Sequence, residues 1–122
     1  MTYPNWQHRL LEAMGLPPTA ARISFLTAWA MCEGGTAKWN PLNTTLKLPG
    51  STKYNDAGVQ HYADDLQGVA ATLLTIRLPY YRDIRRALLT QQTASAIARS
   101  STRGLQTWGT GSKCIEAVLA GH

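Results

Sequence analysis

Acidic residues are scarce in this chain, where seven Asp and Glu stand against twelve Lys and Arg and give a formal net charge of +5. A positive excess attracts anionic partners over long range, and nucleic acids and acidic cell-wall polymers are both anionic. Apolar runs are also short: none approaches the roughly 20 residues that span a bilayer, so we expect no membrane insertion. The N-terminus lacks the charged and apolar segments of a secretory signal, which predicts retention in the cytoplasm unless another device exports the protein.

Only two cysteines and three histidines are present. Without a secretory signal, Cys32 and Cys114 are expected to be two buried thiols rather than a disulfide. A bridge would require the last helix to pack on the end of the helix that carries Cys32. His8, His61 and His122 lack the spacing of metal ligands, so we predict neither a metal nor a cofactor.

Nucleotide and nucleic-acid binding have little support in the sequence. The segment 109–111 is too short for a phosphate-binding loop and lacks its lysine. Arg82, Arg85 and Arg86 fall in one helical stretch, and three arginines on a helix usually form a solvated face. We therefore predict that nucleic acid is not a partner.

The composition is that of one mainly α domain over residues 1–122. Its 122 residues are 44% hydrophobic and 16% charged, which suffices for a core without metals or staples. Apolar spacing and Gly or Pro breaks predict about six helices, with a loop at 104–111. The predicted helices cover 4–14, 20–33, 64–77, 79–89, 93–100 and from 112 to just before 121.

Residues 36–62 differ from the rest of the chain. Pro, Gly, Asn and Thr are frequent there and rule out long helices, so we expect a small irregular hairpin and loop region. Short strands are predicted at 44–48 and 58–62. A polar excursion of this length within a compact domain is usually functional.

Glu33 is the only carboxylate between Glu12 and Asp56. It ends a mostly apolar predicted helix and precedes Gly34–Gly35. Negative charge is disfavoured at a helix C-terminus, and apolar neighbours raise a carboxyl pKa. These conditions keep an acid protonated near neutral pH, ready to donate its proton to a leaving group. On spacing alone, an exposed helix-terminal glutamate is the alternative.

Neutral polar and aromatic side chains follow Glu33 and suit the recognition of sugars. The candidate substrate-binding residues are Trp39, Asn40, Asn43, Thr44, Asn55, Tyr62 and Trp108. A partner for Glu33 is harder to find: Asp56 is the nearest acid in sequence but lies in a predicted turn. The other choices are Thr44 or Thr45 positioning a water molecule, or a group of the substrate itself. A separate hypothesis pairs Cys32 with His61 as a thiol nucleophile and its base.

Four ordered motifs resemble the lysozyme-like domains of actinobacteriophage endolysins and, more distantly, bacterial glucosaminidases and lytic transglycosylases. The motifs are AWAMCEGG (28–35), WNPLNTT (39–45), YNDAGVQHY (54–62) and WGTG (108–111). The resemblance implies a lysozyme-like fold and cleavage of β-1,4 bonds in the glycan of bacterial peptidoglycan. It also implies a monomer held in the host cytoplasm until it is released to the wall.

By motif position, the resemblance makes Glu33 the general acid. Thr44 or Thr45 and Asn55 would line the cleft, Tyr62 would end the hairpin, and Trp108 would lie on the opposite wall. The full catalytic set that we predict is Glu33, Thr45 and Asp56. Two alternatives stay open: a cysteine peptidase that acts through Cys32, and a non-catalytic wall-binding module.

Overall fold

The computed structural model describes residues 2–121 and is mainly helical, as predicted. Over these residues it has seven α-helices, one 3-10 turn and one two-stranded sheet. In chain order they are α1 (Trp6–Ala13), α2 (Ala20–Glu33), β1 (Thr52–Lys53), β2 (Gln60–His61), α3 (Asp65–Ile76), the 3-10 turn (Pro79–Tyr81), α4 (Arg82–Thr90), α5 (Ala94–Arg99), α6 (Thr102–Trp108) and α7 (Ser112–Ala120). Between residues 2 and 121, none of the helices has both the length and the apolarity needed to cross a membrane.

Helix α2 lies at the centre of the packing and contacts α1, α5 and α7. Thr19 begins it, because its hydroxyl accepts a hydrogen bond from the backbone N–H of Arg22 at 3.3 Å. Phe25 and Trp29 are fully buried on this helix. Gly34 ends it in the left-handed conformation, with φ 59°. Glu33 is therefore the last residue of this central helix.

The prediction of a loop at 104–111 is wrong for residues 104–108, which belong to helix α6. Gly104 lies inside this helix because it packs closely against α4. Its backbone N–H donates to both carboxylate oxygens of Asp83, at 3.1 and 3.0 Å. A Cβ on Gly104 would lie 2.3 Å from Asp83 Oδ1. This glycine permits helix packing, and the chain turns only at Gly109, where φ is 109°.

The sheet is smaller than predicted. Strand β2 lies within the predicted range 58–62, and β1 pairs with it antiparallel, with Thr52 opposite His61. The strand predicted at 44–48 is absent from the described structure: a backbone bond joins Gln60 N–H to the Thr44 carbonyl at 3.2 Å, but side chains bind other backbone groups of this segment. Asn40 Nδ2 donates to the Thr44 carbonyl at 2.8 Å, and Asn40 Oδ1 accepts from the Thr44 N–H at 2.7 Å.

Cys32 and Cys114 form a disulfide, so the prediction of two buried thiols is wrong. Helix α7 packs on α2 and brings the two Cα atoms to 6.1 Å, within the range that a disulfide spans. Cys114 is exposed and Cys32 is half-buried. The alternative of a cysteine peptidase is wrong for the same reason, because the Cys32 sulfur is not free to attack a substrate.

Candidate active site

Glu33 is half-buried at the C-terminal end of α2. Burial is the largest influence on this carboxyl group and raises its pKa above the ordinary value. Hydrogen bonds from the side chains of Asn43 and Trp29 act in the opposite direction, but the net shift is upward. The site therefore favours the protonated acid more than water does, which is the state that a proton donor needs.

Asn43 is the residue most closely coupled to Glu33. Its Nδ2 atom donates to Glu33 Oε1 and to the Glu33 backbone carbonyl, both at 3.2 Å. Asn43 itself has a left-handed backbone, with φ 55°. Asn43 was predicted to bind substrate; in the structure it lies beside the acid, and its amide contacts Glu33.

Trp29, the second side chain that hydrogen-bonds the Glu33 carboxyl, packs against another tryptophan. The Trp29 indole N–H donates to Thr110 Oγ1 at 3.3 Å, and the Trp29 ring meets Trp108 edge to face with 4.9 Å between centroids. The Trp108 indole N–H donates to the Leu42 carbonyl at 2.7 Å. Trp108 is half-buried, packs against the core and joins α6 to the loop that carries Asn43.

Three residues predicted to contact substrate are buried instead: Asn40, Thr44 and Tyr62. The Thr44 hydroxyl shares a hydrogen bond of 2.8 Å with Thr72, and the Tyr62 hydroxyl donates to the Leu46 carbonyl at 2.7 Å. Burial also raises the pKa of Tyr62. These side chains hold the loop in shape from inside the protein and offer no surface to a ligand.

The remaining predicted contacts differ in their exposure. Trp39 is half-buried, and its ring meets Tyr3 edge to face at 5.0 Å. Thr45 and Asn55 are exposed on the hairpin side of the molecule. Asn55 Oδ1 accepts the backbone N–H of Val59 at 3.1 Å and shapes the turn. Thr45 and Asn55 are thus accessible to a ligand, whereas Trp39 packs on the N-terminal segment.

Asp56, the predicted second carboxylate, lies in the turn between β1 and β2. Its side chain is fully exposed and forms an ion pair of 2.9 Å with Lys53. The catalytic assignment is corrected, because this environment is that of a solvated turn residue. Other acids are held by their own partners: Asp64 caps α3, Asp65 pairs with Arg9, and Asp83 binds the N–H of Gly104. Within residues 2–121, no carboxylate is hydrogen-bonded to Glu33.

Trp29 contacts the Glu33 carboxyl but was not predicted as a site residue. Trp29 lies four residues before Glu33, so the two side chains share one face of α2, and this spacing is a signal that sequence reasoning could have used. His61, the base proposed for the Cys32 thiol, uses its Nδ1 atom to accept a hydrogen bond from the backbone N–H of Lys38 at 3.0 Å.

A surface cavity with a volume of about 680 Å³ borders the backbone of Gly34 and Gly35. The Glu33 side chain does not line it; its walls come from residues 2–7 and from Thr27, Ala30 and Met31. Across residues 2–121, no three His, Cys, Asp or Glu side chains converge as metal ligands, and His122 lies outside the described residues.

No family model matches the chain, and neither a curated protein nor a solved structure matches it.

Proposed function

We propose that this protein is a lysozyme-like enzyme that cleaves the glycan of bacterial peptidoglycan, with Glu33 as the general acid. The observation that carries the proposal is the half-buried Glu33 carboxyl at the end of α2, with a pKa raised by burial. A carboxyl group in this environment is suited to proton donation to a glycosidic oxygen.

The reaction begins when protonated Glu33 gives its proton to the oxygen of the scissile β-1,4 bond. The bond between that oxygen and C1 breaks, and positive charge develops at C1 of the retained sugar. The Glu33 carboxylate then accepts a proton from the attacking hydroxyl, which comes either from water or from C6 of the muramyl residue. Glu33 is thereby returned to its acid form, and the proton balance is complete.

One carboxyl group performs both proton transfers in this mechanism. The full exposure of Asp56, and the ion pair that holds it at Lys53, support this route over a pair of carboxylates that would include Asp56. Accessible neutral groups on the hairpin side, such as Thr45 and Asn55, suit contact with sugar hydroxyls. The net charge of +5 favours approach to an anionic wall.

The decisive experiment is Glu33→Gln, assayed by release of fragments from purified peptidoglycan. The amide keeps the size of the side chain but cannot donate a carboxylic proton, so we expect activity to fall by at least ~10²-fold. Glu12→Gln, on the exposed face of α1, is the matched control for loss of one negative charge. Full activity in a correctly folded Glu33→Gln protein, checked by circular dichroism, would refute the proposal.

Mass spectrometry of the fragments from the unaltered protein identifies the reaction. New reducing ends indicate hydrolysis, and anhydro-muramyl ends indicate attack by the C6 hydroxyl. Free peptides would contradict glycan cleavage. Binding to the wall without any released product would instead identify a non-catalytic wall-binding module.

A further inference from the structure

The side chain of Asn43 lies against the backbone of Gly35, in the space that a side chain at position 35 would fill. A Cβ built on Gly35 would lie 1.9 Å from Asn43 Oδ1 and 2.7 Å from its Cγ. Unlike Gly34, Gly35 does not have a positive φ, so its backbone conformation is open to any residue. Glycine is therefore required at 35 for the room that it leaves to the Asn43 amide.

We propose that Asn43 is a positioning residue, which fixes the carboxyl group of Glu33 against the end of α2, and that Gly35 is required to admit its amide. The inference rests on the proposed function, because it assigns a role within the same site. It differs from the sequence-based assignment of Asn43 to substrate binding.

The two hydrogen bonds of Asn43 restrain Glu33 at two points. One reaches the backbone carbonyl, a group that has no partner within the helix at a C-terminus, and the other reaches the side-chain oxygen Oε1. A donor that binds the main chain and the carboxyl of one residue fixes the direction of the side chain between them. A glutamate held in this way loses less conformational freedom when substrate arrives.

Asn43 is itself held from both sides. The residue before it, Leu42, has its carbonyl bound by the Trp108 indole N–H at 2.7 Å. The residue after it, Thr44, has its N–H and its carbonyl bound by the buried side chain of Asn40. Asparagine is one of the few residues other than glycine that adopt a left-handed backbone readily, which suits the φ of 55° at this position.

The inference is tested with Asn43→Gly and Gly35→Ala. The first removes the amide but keeps a residue that accepts the left-handed backbone. The second leaves Asn43 and Glu33 intact and displaces the amide by the added methyl group. The control is Asn5→Gly, because Asn5 has the same side chain and a similar φ of 63° but forms no side-chain cap hydrogen bond.

The first readout is the pKa of Glu33 itself, measured by NMR titration of the ¹³C-labelled glutamate carboxyl. Loss of the Asn43 hydrogen bond is expected to raise this pKa in both variants, and Asn43→Asp is expected to raise it further through like-charge repulsion. The double variant should equal either single variant, because both remove one interaction. Asn5→Gly should leave the pKa unchanged.

The second readout is the pH–rate profile on peptidoglycan. We expect the maximal rate to fall about 10-fold in both single variants, while the limb at high pH moves upward with the pKa of Glu33. An unchanged Glu33 pKa in folded Asn43→Gly and Gly35→Ala proteins would overturn the inference. Failure of the proposed function gives a different result, which is full activity of Glu33→Gln. The NMR titration does not depend on activity, so it tests the role of Asn43 separately.

Discussion

Gly68 in helix α3 packs directly on the backbone of Trp39. A Cβ at Gly68 would lie 2.0 Å from the Trp39 carbonyl oxygen and 3.2 Å from its carbonyl carbon. Trp39 has a left-handed backbone, with φ 56°, so this contact seats a strained part of the loop on a rigid helix. The loop that carries Asn43 is thereby fixed to α3 at its beginning.

Gly68→Ala is expected to destabilise the protein, although alanine is normally the better residue inside a helix by about 1 kcal/mol. The added methyl group overlaps backbone atoms that have no room to move, and such overpacking costs about 1–3 kcal/mol. Urea unfolding measures the change. Ala70→Gly, at an exposed position of the same helix, is the control and should lose about 1 kcal/mol. A Gly68→Ala protein as stable as the unaltered one would contradict the contact.

Asn40→Ala should be more damaging than Asn55→Ala. The Asn40 side chain is fully buried and satisfies the N–H and carbonyl of Thr44 and the carbonyl of Gln60. The Thr44 carbonyl keeps the Gln60 N–H as a donor at 3.2 Å, whereas the Thr44 N–H and the Gln60 carbonyl lose their bonds to Asn40. Because buried groups left without partners cost about 1–3 kcal/mol each, we expect a loss of at least ~2 kcal/mol in the free energy of unfolding. Asn55 is exposed, so Asn55→Ala should lower the free energy of unfolding by less than about 1 kcal/mol. Equal losses of stability in the two variants would contradict the role of the Asn40 hydrogen bonds in holding this loop.

Reduction of the Cys32–Cys114 disulfide should lower stability by about 2–4 kcal/mol, because the bond restricts the unfolded chain across 82 residues of sequence. The measurement is urea unfolding with and without a reductant. The Cys32→Ser/Cys114→Ser double variant is the control, since the reductant should not change its stability. Identical unfolding of the oxidised and reduced forms would show that the bond adds nothing.

The stability of the protein should depend on pH through Glu33. Its folded-state pKa lies above the ordinary value of 4.5, so the folded protein holds this proton more tightly than the unfolded chain. The resulting stabilisation is complete below pH 4.5 and is lost as pH rises through the folded-state pKa.

The glutamine in Glu33→Gln has no carboxyl proton, so the stability of this variant should not fall as pH rises through the pKa of Glu33. Its free energy of unfolding, relative to the unaltered protein, is expected to increase as pH rises from ~4 to ~8. Thermal unfolding at several pH values measures the trend, with Glu12→Gln as the comparison for loss of one charge. A relative stability of Glu33→Gln that falls with rising pH would mean that the pKa shift has the opposite sign.

Helix α2 could be predicted to the residue because its signals are local. Thr19 supplies the cap, the apolar residues cover nearly every face, and Gly34 ends the helix, so both bounds agree with 20–33. Glu33 follows from the same signals, since its place at the end of a buried helix fixes the direction of its pKa shift.

The remaining features depend on partners that are distant in sequence. Asn40 and Thr44 have the composition of a sugar-binding surface, but their contacts with Gln60 and Thr72 turn them inward. Gly104 has the composition of a loop and serves helix packing against Asp83. The pairing of Cys32 with Cys114 requires α7 to lie on α2, and no local pattern determines that packing.

The Cys32–Cys114 bond has one more effect, on the covalent continuity of the molecule. The exposed turn at Asn55 and Asp56 lies between the two cysteines, so a protease that cuts there produces two fragments that remain joined through sulfur. A nicked molecule therefore migrates as one species without reductant and as two with it. Glu33 on one fragment and Trp108 on the other stay tethered after such a cut, because the bond joins α2 to α7, the helix that follows α6.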